Sequence, residues 1–286
     1  MKIVLCHLNS LSCLPGLNQL FKDIGNDIGM VISSTRFGSR HGTFWQQVRN
    51  SVRRHGLPLT LWLGCDIIAV QFVTTVARVV LWITGRPADL ATLPTLTALR
   101  GARFLKTANI NDAATLAAVS EYSPDLIVVM NFDQILGRQL IEKPRLGVLN
   151  VHPALLPELR GPCPVIWALM QGRAMSGASI HIIEDETIDS GRILAQAEVA
   201  IDGSQSVARI NAALFLAGAR NLGAAISALR ANPTAGSVQD SSRASYLGFP
   251  TREEMVAFRR AGLRLCRLSD LFHLLAAASG LGSWRS

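Results

Sequence analysis

The chain has 286 residues, 49% hydrophobic and 17% charged, which excludes a disordered chain and allows one large domain or a medium domain with an appendage. Lys and Arg outnumber Asp and Glu by 28 to 20, a formal +8 that serves solubility and equally suits an anionic partner. Five scattered cysteines (Cys6, Cys13, Cys65, Cys163, Cys266) show no CxxC spacing, so neither a zinc site nor a disulfide framework is supported, and reduced thiols in a cytoplasmic protein are expected.

Residues 2–8 are an apolar run of strand length and lack the layout of a signal peptide. The loop over 9–16 has no GxGxxG, which removes a dinucleotide cradle. Helical spacing over 17–24 and a short strand over 29–33 complete a β–loop–α–β opening. Residues 57–85 are strongly apolar, but Asp66 and Arg78 divide them into pieces too short for a spanning helix, and no transmembrane segment is predicted. The segment reads as a buried or subunit-interface helix, with a homodimer through 57–85 as the expected assembly. An in-plane membrane helix is the competing reading.

A helix over 112–121, capped by Asn111 or Asp112, leads into a fully apolar strand at 124–130, and another strand follows at 147–151. Residues 177–183 and 193–199 alternate more and read as half-exposed strands. Beyond 201 the texture turns helical over 206–229, followed by a polar linker at 232–244. A capping box, Thr251 to Glu254, then opens a helix through Arg260. The fold class is α/β: a Rossmann-like, mostly parallel sheet over 1–204 with a helical C-terminal extension over 205–286.

Mid-chain, residues 149–164 read LNVHPALLPELRGPCP. Alternate strand residues share a face, so Asn150 and His152 project together beyond a strand end, and Pro153 and Pro157 stiffen the exit. Ligands of parallel sheets bind at such ends. Asp189 follows in a turn-like acidic stretch, Thr187 to Gly191. An Asn, a His and an Asp on neighbouring loops suit acid–base work at a carbonyl, although each residue alone is also an ordinary turn or capping residue.

The three separated stretches, LNVHPALLP with a following RG, GASIH and DETIDSG, resemble the formyltetrahydrofolate-dependent formyltransferase family. That family includes glycinamide ribonucleotide, methionyl-tRNA, and sugar or hydroxyornithine N-formyltransferases. The resemblance is dense over 117–197, weaker over 1–35, and slight over 36–100 and after 205. It implies a formyltransferase catalytic domain over 1–204, with Asn150, His152 and Asp189 as the catalytic group. It also implies a folate-holding segment with Phe132, Gln134, Ile135 and Leu136, and a pterin loop with Glu184, Asp185, Glu186, Thr187 and Ile188. The implied formyl donor is 10-formyltetrahydrofolate, and the implied reaction passes through a tetrahedral intermediate. A small-molecule or carrier-bound amine, of the amino sugar nucleotide or hydroxyornithine type in secondary metabolism, is the acceptor expected. No nucleic-acid partner is expected, because 205–286 lack the pattern of the β-barrel carried by the tRNA-directed members, and no metal is expected, because the cysteines show no ligand spacing.

Three departures accompany the resemblance. Ala154 stands where the family has Ser, the span from His181 to Asp189 is one residue longer, and the first loop lacks a glycine-rich phosphate cradle. The last makes glycinamide ribonucleotide an unsuitable acceptor. A deformylase would use the same three groups with water replacing the amine. A cysteine hydrolase built on Cys163 and a non-catalytic scaffold on the same core are the remaining alternatives.

Overall fold

The computed structural model describes residues 1–35, 43–83 and 92–278. In chain order they form β1 (Ile3–His7), α1 (Leu14–Ile24), β2 (Ile28–Ser34), α2 (Phe44–His55), α3 (Leu57–Ile83), α4 (Leu93–Leu99), β3 (Arg103–Thr107), α5 (Ala113–Tyr122) and β4 (Leu126–Met130). Then follow α6 (Arg138–Ile141), β5 (Val148–His152), α7 (Pro164–Met170), β6 (Met175–Ile183), β7 (Ile193–Ala200), α8 (Val207–Ala231), α9 (Arg252–Arg260) and α10 (Leu268–Ala278).

The seven strands make one sheet in the order β3-β2-β1-β4-β5-β6-β7. All pairings from β3 to β5 are parallel, and β5–β6 and β6–β7 are antiparallel, so the expected Rossmann-like, mostly parallel sheet is what forms. The strand order reverses between β1 and β4, which opens a crevice beyond their carboxyl ends. Asn131, at φ +51°, ties that crevice together: its Nδ2 donates to the Leu8 carbonyl (2.7 Å) and to Ser10 Oγ (3.0 Å).

Both sheet faces are covered. On one, Leu17, Leu20 and Phe21 of α1 and Phe215, Leu222, Ile226 and Leu229 of α8 share a core with the sheet residues Ile3, Leu5, Val128 and Leu149. On the other, Val119 of α5 and Leu140 of α6 pack against Val4, Cys6, Ile127 and Val148. Burying each such side chain is worth roughly 1.5–3 kcal/mol, so packing rather than helix propensity holds these helices in place. Asp112 is the α5 cap, accepting from the Thr115 amide at 2.7 Å, and the Thr251–Glu254 capping box forms at α9.

The structure departs from the sequence reading in three places. The 204/205 boundary is not a break in packing. Thirteen residues of α8 are buried, and Met255 and Phe258 of α9 join a third core with α7, α8 and Leu59 of α3. Residues 57–83 form the helix expected of them, but Asp66 and Arg78 do not divide it into pieces too short to span: by length and composition its 27 residues are enough to cross a membrane. Nor is this helix buried: Ile68, Phe72 and Trp82 are 65%, 73% and 80% exposed. Finally, β6 is buried along nearly its whole length rather than half-exposed, since β5 and β7 flank it and α8 packs across it.

The α8–sheet contact leaves no room for a side chain at Gly218. A Cβ there would collide with Val151 Cγ1 and lie 3.1 Å from the Ala178 Cβ. Val151 lies between Asn150 and His152, so the cost falls on the strand that carries them. Gly218→Val is expected to lower stability by about 2 kcal/mol through overpacking, read as a lower urea midpoint at unchanged m-value.

Candidate active site

β5 is the strand where pairing changes from parallel to antiparallel. It pairs with β4 on one side and places Asn150 opposite His181 of β6 on the other. Asn150, His152 and His181 therefore share one sheet face. The 184–192 connection between β6 and β7 folds back over that face and delivers Asp189, with φ +52°.

Asp189 is the centre of the cluster. Its Oδ1 accepts from Asn150 Nδ2 at 3.1 Å and lies 3.3 Å from His181 Nε2. Its Oδ2 accepts from the Gly161 amide at 2.9 Å and lies 3.4 Å from His152 Nδ1. Gly161 has φ +111°, and a Cβ there would strike the Leu247 carbonyl, so the residue must be glycine for its amide to reach the carboxylate. Burial opposes the Asp189 charge, yet the two histidines and the Gly161 amide outweigh it and hold the carboxyl well below the usual carboxylate range. For His152, burial dominates. It lowers the imidazole below its ordinary value of 6.5, with the Asp189 charge pulling the other way.

The tautomer follows from the contacts. His152 Nε2 lies 3.0 Å from the Leu159 carbonyl, which can only accept, so Nε2 carries the proton and Nδ1 is the basic atom beside Asp189. The Asn150 amide group faces Asp189 and, at 3.1 Å, His181 Nε2. Its Oδ1 has no protein donor among the described residues.

These groups line a cavity of about 480 Å³ that also reaches Asn131 and, from α3, Trp62, Leu63 and Asp66. The sequence-predicted site residues distribute unevenly around it. Phe132, Gln134, Ile135 and Leu136 all line it, as do Asp185, Glu186, Thr187 and Ile188. The Gln134 side chain is committed elsewhere: Oε1 accepts from the Ile110 amide (2.6 Å) and Nε2 donates to Ser34 Oγ (2.8 Å), which locks β2 to the β4 exit. The Leu136 side chain belongs to the core. Glu184 is not on the cavity wall and pairs instead with Arg192 at 2.7 Å. Burial pushes the Cys163 thiol up to about 12, which leaves it without a thiolate to attack with.

Two residues absent from the predicted site shape it. His181 appeared only as part of a strand motif, yet it meets both Asn150 and Asp189. Gln239, from the segment after α8, donates to the carbonyls of Asp189 (2.9 Å) and Gly191 (2.7 Å), while its Oε1 accepts from Arg160 Nη2 at 2.7 Å. It pins the loop that carries Asp189. Nothing in the local sequence around 239 announces this, since the contact spans 50 positions.

A doubly covered α/β sheet places a buried carboxylate, imidazole and carboxamide together at the wall of a crevice, an arrangement suited to acid–base chemistry. The sequence profile of the formyl transferase family matches residues 69–226, and the chain belongs to that family. The methionyl-tRNA formyltransferase of Geobacillus sp. (strain WCH70) is 36% identical over 154 residues, 54% of this chain and 48% of the relative. That of Roseiflexus castenholzii is 33% identical over 194 residues, 65% and 62% of the two chains. The chain thus spans less than two thirds of the length of these relatives.

Among solved structures, the N-formyltransferase from Helicobacter canadensis in complex with folinic acid and dTDP-3-aminofucose matches with a TM-score of 0.52 at 15% identity, over 87% of this chain and 71% of that one. The phosphoribosylglycinamide formyltransferase from Anaplasma phagocytophilum matches with a TM-score of 0.53 at 14% identity, over 87% and 98%. At such identities the likeness is one of fold.

The coupling between His152 and Asp189 has a direct readout. The His152 ring is expected to titrate below 6.5 by nitrogen-detected NMR, and Asp189→Asn, which removes the charge that raises it, is expected to move it lower still. A rise on that substitution would contradict the arrangement.

Proposed function

We propose that this chain transfers a formyl group from 10-formyltetrahydrofolate to an amine nitrogen. The observation that carries the reading is the set of contacts at Asp189, which binds Asn150 and faces His152 at the wall of a cavity of ligand size. The half-buried Phe132 and exposed Ile135 offer apolar walls for a ring system, and the polar stretch 185–188 offers backbone groups at its edge. The donor supplies the formyl carbon that the amine lone pair attacks.

The residues then have distinct tasks. Asn150 Oδ1 accepts an N–H of the incoming amine and turns the nitrogen lone pair toward the carbonyl carbon. His152 is neutral at rest, and its Nδ1 takes the proton that the amine loses as the C–N bond forms. Asp189 stabilises the resulting imidazolium, whose charge also faces the developing oxyanion. The same Nδ1 returns the proton to the departing nitrogen as the old C–N bond breaks.

For the acceptor we propose a small-molecule or carrier-bound amine. In support, the cavity of about 480 Å³ has the size of a small-molecule site. Methionyl-tRNA is the comparison that the curated relatives demand, and it belongs in the same acceptor screen.

The test is release of tetrahydrofolate from 10-formyltetrahydrofolate across amino sugar nucleotides, hydroxyornithine-type amines and methionyl-tRNA. Acceptor-dependent release is expected, and His152→Ala should lower kcat about 100- to 10,000-fold. Because His152 must be neutral to accept a proton, the acidic limb that belongs to His152 in the pH profile of kcat should lie below 6.5 and be absent from His152→Ala. Release without any amine would identify a hydrolase, and formylation of methionyl-tRNA alone would overturn the acceptor class.

A further inference from the structure

The helix α3 has two unlike sides. Leu61, Ile68, Phe72, Val76, Val79 and Ile83 are all exposed and, at 100° per residue, fall within about a quarter of its circumference. The stripe runs for roughly 33 Å at 1.5 Å per residue. On the opposite side Leu59, Val70 and Thr74 are buried, and Trp62, Leu63 and Asp66 reach the cavity. Such a continuous exposed stripe on a soluble surface calls for a covering partner.

We propose that this outer side of α3, together with the arginines of α2, docks the protein on an anionic lipid bilayer. Three observations select that occupant. First, the charges are complementary: Arg49, Arg53, Arg54 and Arg78 are exposed on α2 and α3, and none of them has an ion-pair partner among the described residues. The only acid in these two helices, Asp66, is turned inward onto Ser12. Second, Trp45 and Trp82 stand 75% and 80% exposed, the residue type favoured at a membrane–water boundary. Third, α3 is held lengthwise against the body along its inner side, which sets it parallel to a docked surface. Both Asp66 carboxylate oxygens accept from Ser12 (2.9 and 2.8 Å), its carbonyl accepts from the Leu11 amide (2.9 Å), and Leu59 sits in the core with α7, α8 and α9. A helix pinned along one side with an apolar stripe on the other lies in the plane of the interface.

A second copy of the chain fits less well, because pairing these helices would bring the exposed arginines of two protomers toward each other. An anionic leaflet neutralises them, each cation near its surface being worth roughly a factor of five in binding.

The experiment is flotation of the full chain with phosphatidylcholine vesicles made with and without phosphatidylglycerol, at low and high salt, alongside sedimentation velocity without lipid. It needs no acceptor and no turnover. Binding is expected with phosphatidylglycerol, weakening with salt. R49Q/R53Q/R54Q should bind about 100-fold more weakly, and F72S/V79S should also lose binding with unchanged thermal melting. Absence of flotation with phosphatidylglycerol would overturn the proposal. So would undiminished binding by F72S/V79S, or a lipid-free dimer that F72S/V79S dissociates.

Discussion

A single buried carboxylate organises the site. Asp189 faces ring or amide groups from β5 and β6 and accepts from a main-chain amide in the loop after β5, so one side chain meets all three segments. Its charge survives burial because two imidazoles and the Gly161 amide surround it. Geometry and electrostatics are thus one constraint: the backbone must enter a left-handed conformation at 189, glycine must stand at 161, and Gln239 must hold the loop from outside. The imidazole beside this carboxylate stays neutral at rest, yet any proton it gains has a counter-charge waiting.

The sheet was legible in the sequence where its chemistry is local. Apolar runs at 2–8, 124–130 and 147–151 became β1, β4 and β5 because strands buried on both faces need no alternation. Asn150 and His152 stood out because a buried strand rarely ends in two polar groups. β3 gave no such signal: its sequence is RFLKT, and it forms the sheet edge with an exposed arginine and lysine. The character of 177–183 was misread for the converse reason. Its small and polar residues suggested a half-wet strand, but β7 and α8 cover it, and Ser179 is satisfied by the Ala154 carbonyl.

Tertiary facts were the hardest to read. Composition marked 57–85 as apolar but could not say which side would be covered, since burial depends on what α1, α7 and α8 leave exposed. Likewise, the Ala- and Leu-rich texture after 205 suggested a separate helical extension. α8 is instead a core helix whose Gly218 lies directly on β5. Gln239 is a polar residue in a linker, and only the folded chain brings it to the Asp189 loop.

The helix α3 separates the cavity from the outside, with Asp66 clamped to the β1–α1 loop on its inner side and Ile68 and Phe72, within two turns of it, facing outward. The two spaces share a wall about 10 Å thick. Whatever draws α3 outward works against the Ser12–Asp66 hydrogen bonds, and whatever fills the cavity presses on the same helix from within. Thermodynamic linkage then makes the effect mutual. To the extent that an occupant of the outer surface displaces the helix, it alters affinity in the cavity by a factor that the cavity's occupant must return in full.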